Sequence, residues 1–355
     1  MEEATIKYYH NNEGLILESG ERLPRFQLAY HTYGKLNDDR SNVVWIIHAL
    51  TADSNAAEWW PGMIGPGLAI DTDKYFVVCA NTLGSHYGST SPLSTDPITD
   101  VKYHHRFPRV TNRDIVQSFV KLAEYLDIST IHSLIGPSLG GQQALEWAVM
   151  FPSQIKNLLL IATNAVHSPY GIAFNESQRL AIEADATWLT DRDDAGAAGM
   201  KAARSLALLS YRTRYGYNIS QKRASTDKLN EYKAASYQRY QGEKLVRRFN
   251  AYSYYLLSQV MDSHDLSRGR GSLQDSLSKV TAQTTVIGID SDILFPIEEQ
   301  KTITDHIIDS QLYIISSDYG HDGFLTEINQ MTTRVSAFLD SESRTTFKTA
   351  LSTVS

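Results

Sequence analysis

The segment "IHSLIGPSLGGQQALEW" (131–147) sets one serine, Ser138, among small residues with the spacing G-x-S-x-G from Gly136 to Gly140. An apolar run leads into it and a helix-forming run follows at once. That context predicts a sharp strand-to-helix turn, a nucleophile elbow, in which the serine is held in a strained backbone conformation. Flanking side chains larger than hydrogen would collide with neighbouring elements there. The turn exposes the hydroxyl at a helix N-terminus, where free N–H groups and the helix dipole favour a developing anion. The chemistry implied is nucleophilic attack through a covalent intermediate.

A serine hydroxyl is a poor nucleophile at neutral pH and requires a base that a third group orients. After an elbow of this kind the partners follow in the order Ser, then Asp or Glu, then His. Downstream of Ser138 the histidines are His167, His264, His306 and His321. His306 sits in a helical pattern beside Ile303, Ile307 and Ile308, and His167 and His264 fall in or at the edge of a helical region. His321 lies in "SDYGHDGF" (317–324), a Gly-flanked loop after the last strand-like run, and is the base chosen here. For the acid, "VIGIDSDILFP" (286–296) offers Asp290 and Asp292. Asp290 fits the ordinary role of capping the turn, and Asp292 lies further into the loop. Spacing favours Asp292 only modestly. A tetrahedral intermediate also needs two donors for its oxyanion. Leu139, directly after the serine, supplies one backbone N–H; "HALTADS" (48–54) supplies the other through Leu50 or Thr51. His48, just before that loop, is read as shaping the turn and not as a base.

The elements needed to position these groups can be read from periodicity. "VVWIIHAL" (43–50), "YFVVCANTLG" (75–84), "IHSLIG" (131–136) and "IKNLLLIAT" (155–163) are near-continuous apolar runs, as in parallel strands covered on both faces. "NRDIVQSFVKLAEYLDI" (112–128) places Ile115, Phe119, Leu122 and Leu126 on one helical face, and "GGQQALEWAVMF" reads as a helix stopped by Pro152. From about 168 to 278 strand-like runs vanish. "QRLAIEADATWL", "AAGMKAARSLALLSY" and "GEKLVRRFNAYSYYLLSQVM" each read as a helix. "TTVIGID" (284–290) and "QLYIISS" (311–317) then restore strand character around the helical "PIEEQKTITDHIID". The expected organisation is an α/β core of 1–167 and 279–340, a helical lid insertion of 168–278, and a polar tail of 341–355.

Bulk properties exclude several classes. The 355 residues carry a net charge of −7 with no basic stripe, so nucleic acid is not an expected partner. Cys79 is the only cysteine, which excludes an intrachain disulfide; it sits in a strand-like run and reads as core. No apolar run approaches the roughly 18 residues of a membrane span, and no signal pattern is present, so a cytoplasmic protein is expected. No metal-ligand spacing and no phosphate-cradling G-x-x-x-x-G-K motif occurs. A basic loop from Arg268 on reads first as a flexible turn and second as a contact for coenzyme A phosphates.

With these residues in place, the chain resembles the homoserine O-acetyltransferases of the α/β-hydrolase superfamily over roughly residues 15–335. "HALTADS", "GPGLAIDTDKYFVVCANTLG", "GPSLGGQQALEWA", "IATNAVHSPYGIAFNESQRLAI", "LLSYRT", "YQGEKLVRRFNAYSYYLL", "GIDSDILFP" and "YGHDGFL" carry the likeness. The resemblance implies an α/β-hydrolase fold, a mostly parallel central sheet flanked by helices with a helical lid, and a triad of Ser138, Asp292 and His321. It implies that Arg212 grips the carboxylate of an amino-acid substrate and that Asp322 holds its ammonium group, pairings that suit the chemistry of both ends. It further implies acetyl-CoA as donor co-substrate, no permanently bound cofactor, L-homoserine as acceptor, and a homodimer formed through the insertion. Succinyl-CoA as donor, serine as acceptor, a plain esterase or thioesterase, and an inactive scaffold are the alternatives. Two departures stand out: Pro137 replaces a usual glycine, and "GSHYGSTSP" carries His86 and Ser91 where relatives commonly have Cys and Gly.

Overall fold

The computed structural model describes residues 5–222 and 232–352, with side chains described to 340. Its centre is a sheet of eight strands: β1 (Lys7–Asn11), β2 (Phe26–Tyr33), β3 (Val43–Ile47), β4 (Phe76–Ala80), β5 (Ile131–Pro137), β6 (Ile155–Ile161), β7 (Gln283–Ile289) and β8 (Ser310–Ile315). Their spatial order is β1-β2-β4-β3-β5-β6-β7-β8. β1 and β2 pair antiparallel, as do β2 and β4; every later pairing is parallel. The apolar runs of the sequence become strands because both faces are covered. In β3 all five residues are buried, with Trp45 packing to one side and Val44 and Ile46 to the other.

On the Trp45 side lie α1 (Asn112–Tyr125) and α2 (Leu139–Met150). A capping box between Thr111 and Asp114 starts α1, a device worth about 1 kcal/mol. Trp147 of α2 meets Trp45 edge-on at 5.1 Å and stacks on Phe119 at 6.0 Å. The opposite face is covered by Trp60, Met63 and the apolar stripe Met331, Val335 and Phe338 of the last helix. That helix, Ile328–Ser352, runs through the polar stretch expected as a tail.

Between β6 and β7 the chain leaves the sheet and builds α3 (Pro169–Glu183), α4 (Ala197–Tyr211), α5 (Arg214–Ser220), α6 (Lys233–Val246), α7 (Ala251–Asp262) and the short α8 (Leu273–Leu277). Two expectations fail here: "QRLAIEADATWL" is helical only as far as Glu183 and turns from Ala184 on. "GEKLVRRFNAYSYYLLSQVM" is not one helix: α6 ends at Val246, and Asn250 caps α7 by accepting from the Ser253 N–H. An Asn side chain that competes for backbone N–H groups ends a helix more readily than it continues one. Among the described residues no helix is long and apolar enough to cross a membrane.

Candidate active site

Ser138 stands between the end of β5 and the start of α2 with φ +56°, a conformation that non-glycine residues rarely adopt. Its carbonyl accepts from Thr163 Oγ1 at 2.8 Å and its N–H donates to Ile161 O at 2.9 Å, so the strain is held from β6. The small neighbours are required by contact. A Cβ on Gly136 would stand 2.3 Å from Gly140 O, and one on Gly140 would stand 2.2 Å from Ile47 O. Pro137 is accommodated as the last residue of β5, opposite Ile161.

The structure brings Ser138, His321 and Asp292 together across 183 and 29 residues of chain. Ser138 Oγ lies 2.9 Å from His321 Nε2, and His321 Nδ1 lies 2.7 Å from Asp292 Oδ2. With a carboxylate on Nδ1, that nitrogen carries the proton and Nε2 is left to accept from the hydroxyl. Asp292 is oriented in turn, since its other oxygen accepts from the N–H groups of Leu294 (2.8 Å) and Phe295 (3.0 Å). Phe295 and Phe324 pack against the imidazole at 5.0 and 5.5 Å. All three polar residues are at most 5% exposed.

Asp290 does something else. It is exposed, and its carboxylate accepts from the Ser317 N–H at 3.0 Å, tying the ends of β7 and β8. The other histidines are also accounted for. His306 caps its own helix turn on Thr302 O. His167 and His264 are buried at the root of the lid. Cys79 is buried in β4, where burial pushes its thiol well above the ordinary range.

Ser138 opens into a cavity of about 500 Å³ lined by Leu50, Thr51, Tyr87, Tyr211, His321 and Asp322, among others. Leu50 and Thr51 are the middle residues of a turn closed by Ala52 N–H on Ala49 O at 3.0 Å, so neither of their N–H groups is used by the turn itself. Leu139 is the first residue of α2, where N–H groups have no partner within the helix. Asp322 lines this cavity, and Arg212 lines another one together with Thr213 and Tyr217. The two are ion-paired, Arg212 Nε to Asp322 Oδ2 at 2.9 Å, and Arg212 also donates to the Tyr237 hydroxyl. His86 lies at the lid contact, its Nδ1 accepting from Asn250 at 2.9 Å, and Ser91 is buried in the following loop.

Three cations at this cavity went unnoticed in the sequence: Arg204, Lys244 and Arg248. Arg204 lies over the ring of Tyr211 at 5.5 Å; the two are seven residues apart on α4, close to two helical turns, and that spacing was the available signal. Lys244 and Arg248, four apart, straddle the end of α6. The basic loop from Arg268 on is, by contrast, committed to structure. Arg268 pairs with Glu18 at 2.9 Å, and Arg270 pairs with the buried Glu146.

The frame is widely shared. Residues 42–328 match the family model described as the alpha/beta hydrolase fold. A homoserine O-acetyltransferase of Cyclobacterium marinum is 47% identical over 93% of this chain and 93% of its own length. Among solved structures, homoserine O-acetyltransferase from Bacillus anthracis superposes with a TM-score of 0.89 at 26% identity, covering 96% of this chain and 98% of that one. An acetylester hydrolase from Corynebacterium glutamicum superposes with a TM-score of 0.83 at 26% identity, covering 94% and 96%. By the extent and identity of these matches, the chain belongs to the homoserine O-acetyltransferase family of α/β hydrolases.

Proposed function

We propose that the protein transfers an acetyl group from acetyl-CoA to the side-chain hydroxyl of L-homoserine, a step of methionine biosynthesis, by double displacement on Ser138. His321 Nε2 takes the Ser138 proton as Oγ attacks the thioester carbonyl, and Asp292 stabilises the imidazolium that forms. The oxyanion is held by the N–H of Leu139 and that of Leu50 or Thr51. Collapse expels coenzyme A, protonated by His321, and leaves acetyl-Ser138. The homoserine hydroxyl then gives its proton to His321 and attacks; collapse releases the ester and returns the proton to Ser138. No permanently bound cofactor takes part.

The observation that carries this reading is the charge pair beside the nucleophile. Asp322 follows the base directly, faces the Ser138 cavity, and is matched by Arg212 at 2.9 Å. An acceptor bearing both an ammonium and a carboxylate group would replace this internal pair with two external ones, Asp322 taking the ammonium and Arg212 the carboxylate. Arg204, Tyr211, Lys244 and Arg248 of the lid line the cavity, where the lid would keep water from the acyl-enzyme. Hydrolysis is the competing reading, because an acetylester hydrolase shares the frame. The same proposal includes a cytoplasmic protein and a homodimer through the lid, where Leu209, Tyr215, Ile219 and Tyr240 are exposed; sedimentation of the intact chain measures the latter.

Intact-mass spectrometry after mixing with acetyl-CoA, quenched at short times, tests the chemistry. The expected result is an acetyl adduct on Ser138 that homoserine discharges as O-acetylhomoserine faster than water does. A succinyl adduct from succinyl-CoA, or discharge by serine, overturns the substrate assignment. Discharge by water at the homoserine rate overturns transfer itself.

A further inference from the structure

The turn that presents Leu50 and Thr51 is gripped by its carbonyls from two directions. From the core, His48 Nδ1 donates to Ala49 O at 2.8 Å while its Nε2 accepts from the Thr82 N–H at 3.0 Å. Those partners fix the neutral Nδ1–H tautomer, and burial pushes the imidazole pKa down, which keeps it neutral. The grip orients the Ala49–Leu50 peptide, the one that carries the Leu50 N–H. From the lid, Arg248 donates to Thr51 O and to the Tyr87 hydroxyl (2.5 Å), with its second nitrogen 3.3 Å from Thr51 Oγ1. The residues after it dock on the same loops. Phe249 packs on the rings of His86 and Tyr87 at 6.0 and 5.6 Å, and Asn250 donates to His86 Nδ1 at 2.9 Å.

We propose that Arg248 is a positioning residue for the oxyanion hole: by holding Thr51 O from the lid it sets the turn that supplies the second donor, so that the hole is complete only while residues 248–250 are docked on Thr51, His86 and Tyr87. The proposal rests on the reading of Leu50 or Thr51 as that donor. Three features support it. The two terminal nitrogens of the guanidinium reach two atoms of Thr51, one its carbonyl oxygen and the other its Oγ1, a planar two-point grip that a compact ammonium does not reproduce. The helix breaks between Val246 and Ala251, which frees this segment to lie on the core loops. Arg248 is exposed, so its contacts add little to folding stability, and their geometry is what remains for them to supply. The consequence is a linkage between lid docking and acylation: Ser138 would gain its acyl group readily only under a closed lid, the state in which water is excluded.

The rival role for an exposed cation at this rim is contact with coenzyme A phosphates, and p-nitrophenyl acetate separates the two because it carries no phosphate. Acylation of Ser138 by p-nitrophenyl acetate and by acetyl-CoA is followed in the wild type and in Arg248→Ala, Arg248→Lys and Lys244→Ala, each checked for an unchanged melting curve. The positioning role predicts that Arg248→Ala lowers the maximal acylation rate about 10–100-fold with both donors at similar KM, the size of a weakened oxyanion donor. Arg248→Lys recovers only part of this, and Lys244→Ala raises KM for acetyl-CoA alone. If Arg248→Ala acylates normally with p-nitrophenyl acetate and only raises KM for acetyl-CoA, the residue binds phosphate and the proposal falls, while Ser138 stands as nucleophile. If the wild type is not acylated by either donor, the nucleophile assignment falls together with it.

Discussion

The core and the lid build their halves of the cavity by different physical means. In the core, Ser138 is held at φ +56° by elements that leave no space for a Cβ at Gly136 or Gly140, and Ser138, Asp292 and His321 are all buried. In the lid, the charged residues that reach the cavity are the long cations Arg204, Lys244 and Arg248, all at least partly exposed, and Arg248 is held by hydrogen bonds to Thr51 and Tyr87. Contact without free volume fixes an atom to tenths of an ångström. A long side chain in partial solvent fixes a charge, at the cost of its rotamer freedom. The division suits a site that, on the proposed function, keeps its nucleophile and base still while admitting and releasing two different substrates.

The largest effect that tests this division lies in the core. Asp292→Asn keeps the shape but removes the charge that holds the Nδ1–H tautomer, and kcat is expected to fall about 10⁴-fold. Asp290→Asn, two residues away, touches only the Ser317 N–H and is expected to change kcat by no more than a few-fold. Steady-state kinetics on the pair checks it. Similar losses in both would mean that the turn acts as a unit and that the carboxylate on His321 has no separate role.

A smaller effect is expected where core and lid meet over the acceptor. Asp322→Asn removes one charged partner, worth roughly 1.5–3 kcal/mol, so KM for homoserine should rise about 10–100-fold. The rate of coenzyme A release in the first half-reaction should stay unchanged, because Asp322 is not part of the Ser138–His321–Asp292 relay. Should acylation by acetyl-CoA slow equally, Asp322 would be acting through its neighbour His321 and not on the acceptor.

How legible these parts are in the sequence follows the same division. The elbow can be read because its signature is local: the glycines flank Ser138 within two residues, and Gly136 is crowded by Gly140 O itself, although Gly140 is crowded from the end of β3 by Ile47 O. The strands can be read because burial on both faces leaves continuous apolar runs, as in Val43–Ile47. Asp290 and Asp292 are only modestly separated by spacing, since both follow the same strand; what separates them is that the chain turns back to present Leu294 and Phe295 N–H groups to one of them. Arg248 and Thr51 are 197 residues apart, and an arginine in a lysine- and arginine-rich helix end carries no mark of its partner. The helix break that releases it was hidden for a related reason. Asn250 sits among residues with good helical periodicity, and its capping bond to Ser253 outweighs that pattern.

The seam between the two regions has a chemistry of its own, and it is where the smallest effect is expected. The chain leaves and re-enters the core side by side at one isolated antiparallel bridge, Val166 to Asp265, with His167 N–H on His264 O at 2.9 Å and Leu266 N–H on Ala165 O at 3.0 Å. His167 and His264 are both buried there, and burial pushes them down to about 4 and about 3. The arrangement around His264 explains its preference for neutrality: Nε2 lies 3.2 Å from Asn164 O and donates to it, which leaves Nδ1 to accept from Asn112 at 3.2 Å. In the unfolded chain each imidazole takes a proton below about 6.5, whereas in the folded chain it stays neutral until about 4 or 3. The unfolded state therefore binds more protons throughout that window, and stability falls as pH drops through it, by about 1 kcal/mol per pH unit for each histidine. Urea unfolding of the wild type between pH 7 and 5 should show this decline, and His264→Asn, which retains a side chain able to hydrogen-bond without titrating, should remove the share of one histidine, about 1 kcal/mol per pH unit, while His48 and His167 keep theirs. A slope unchanged in that variant would place the acid sensitivity elsewhere, and the seam would then be held by its backbone bonds alone.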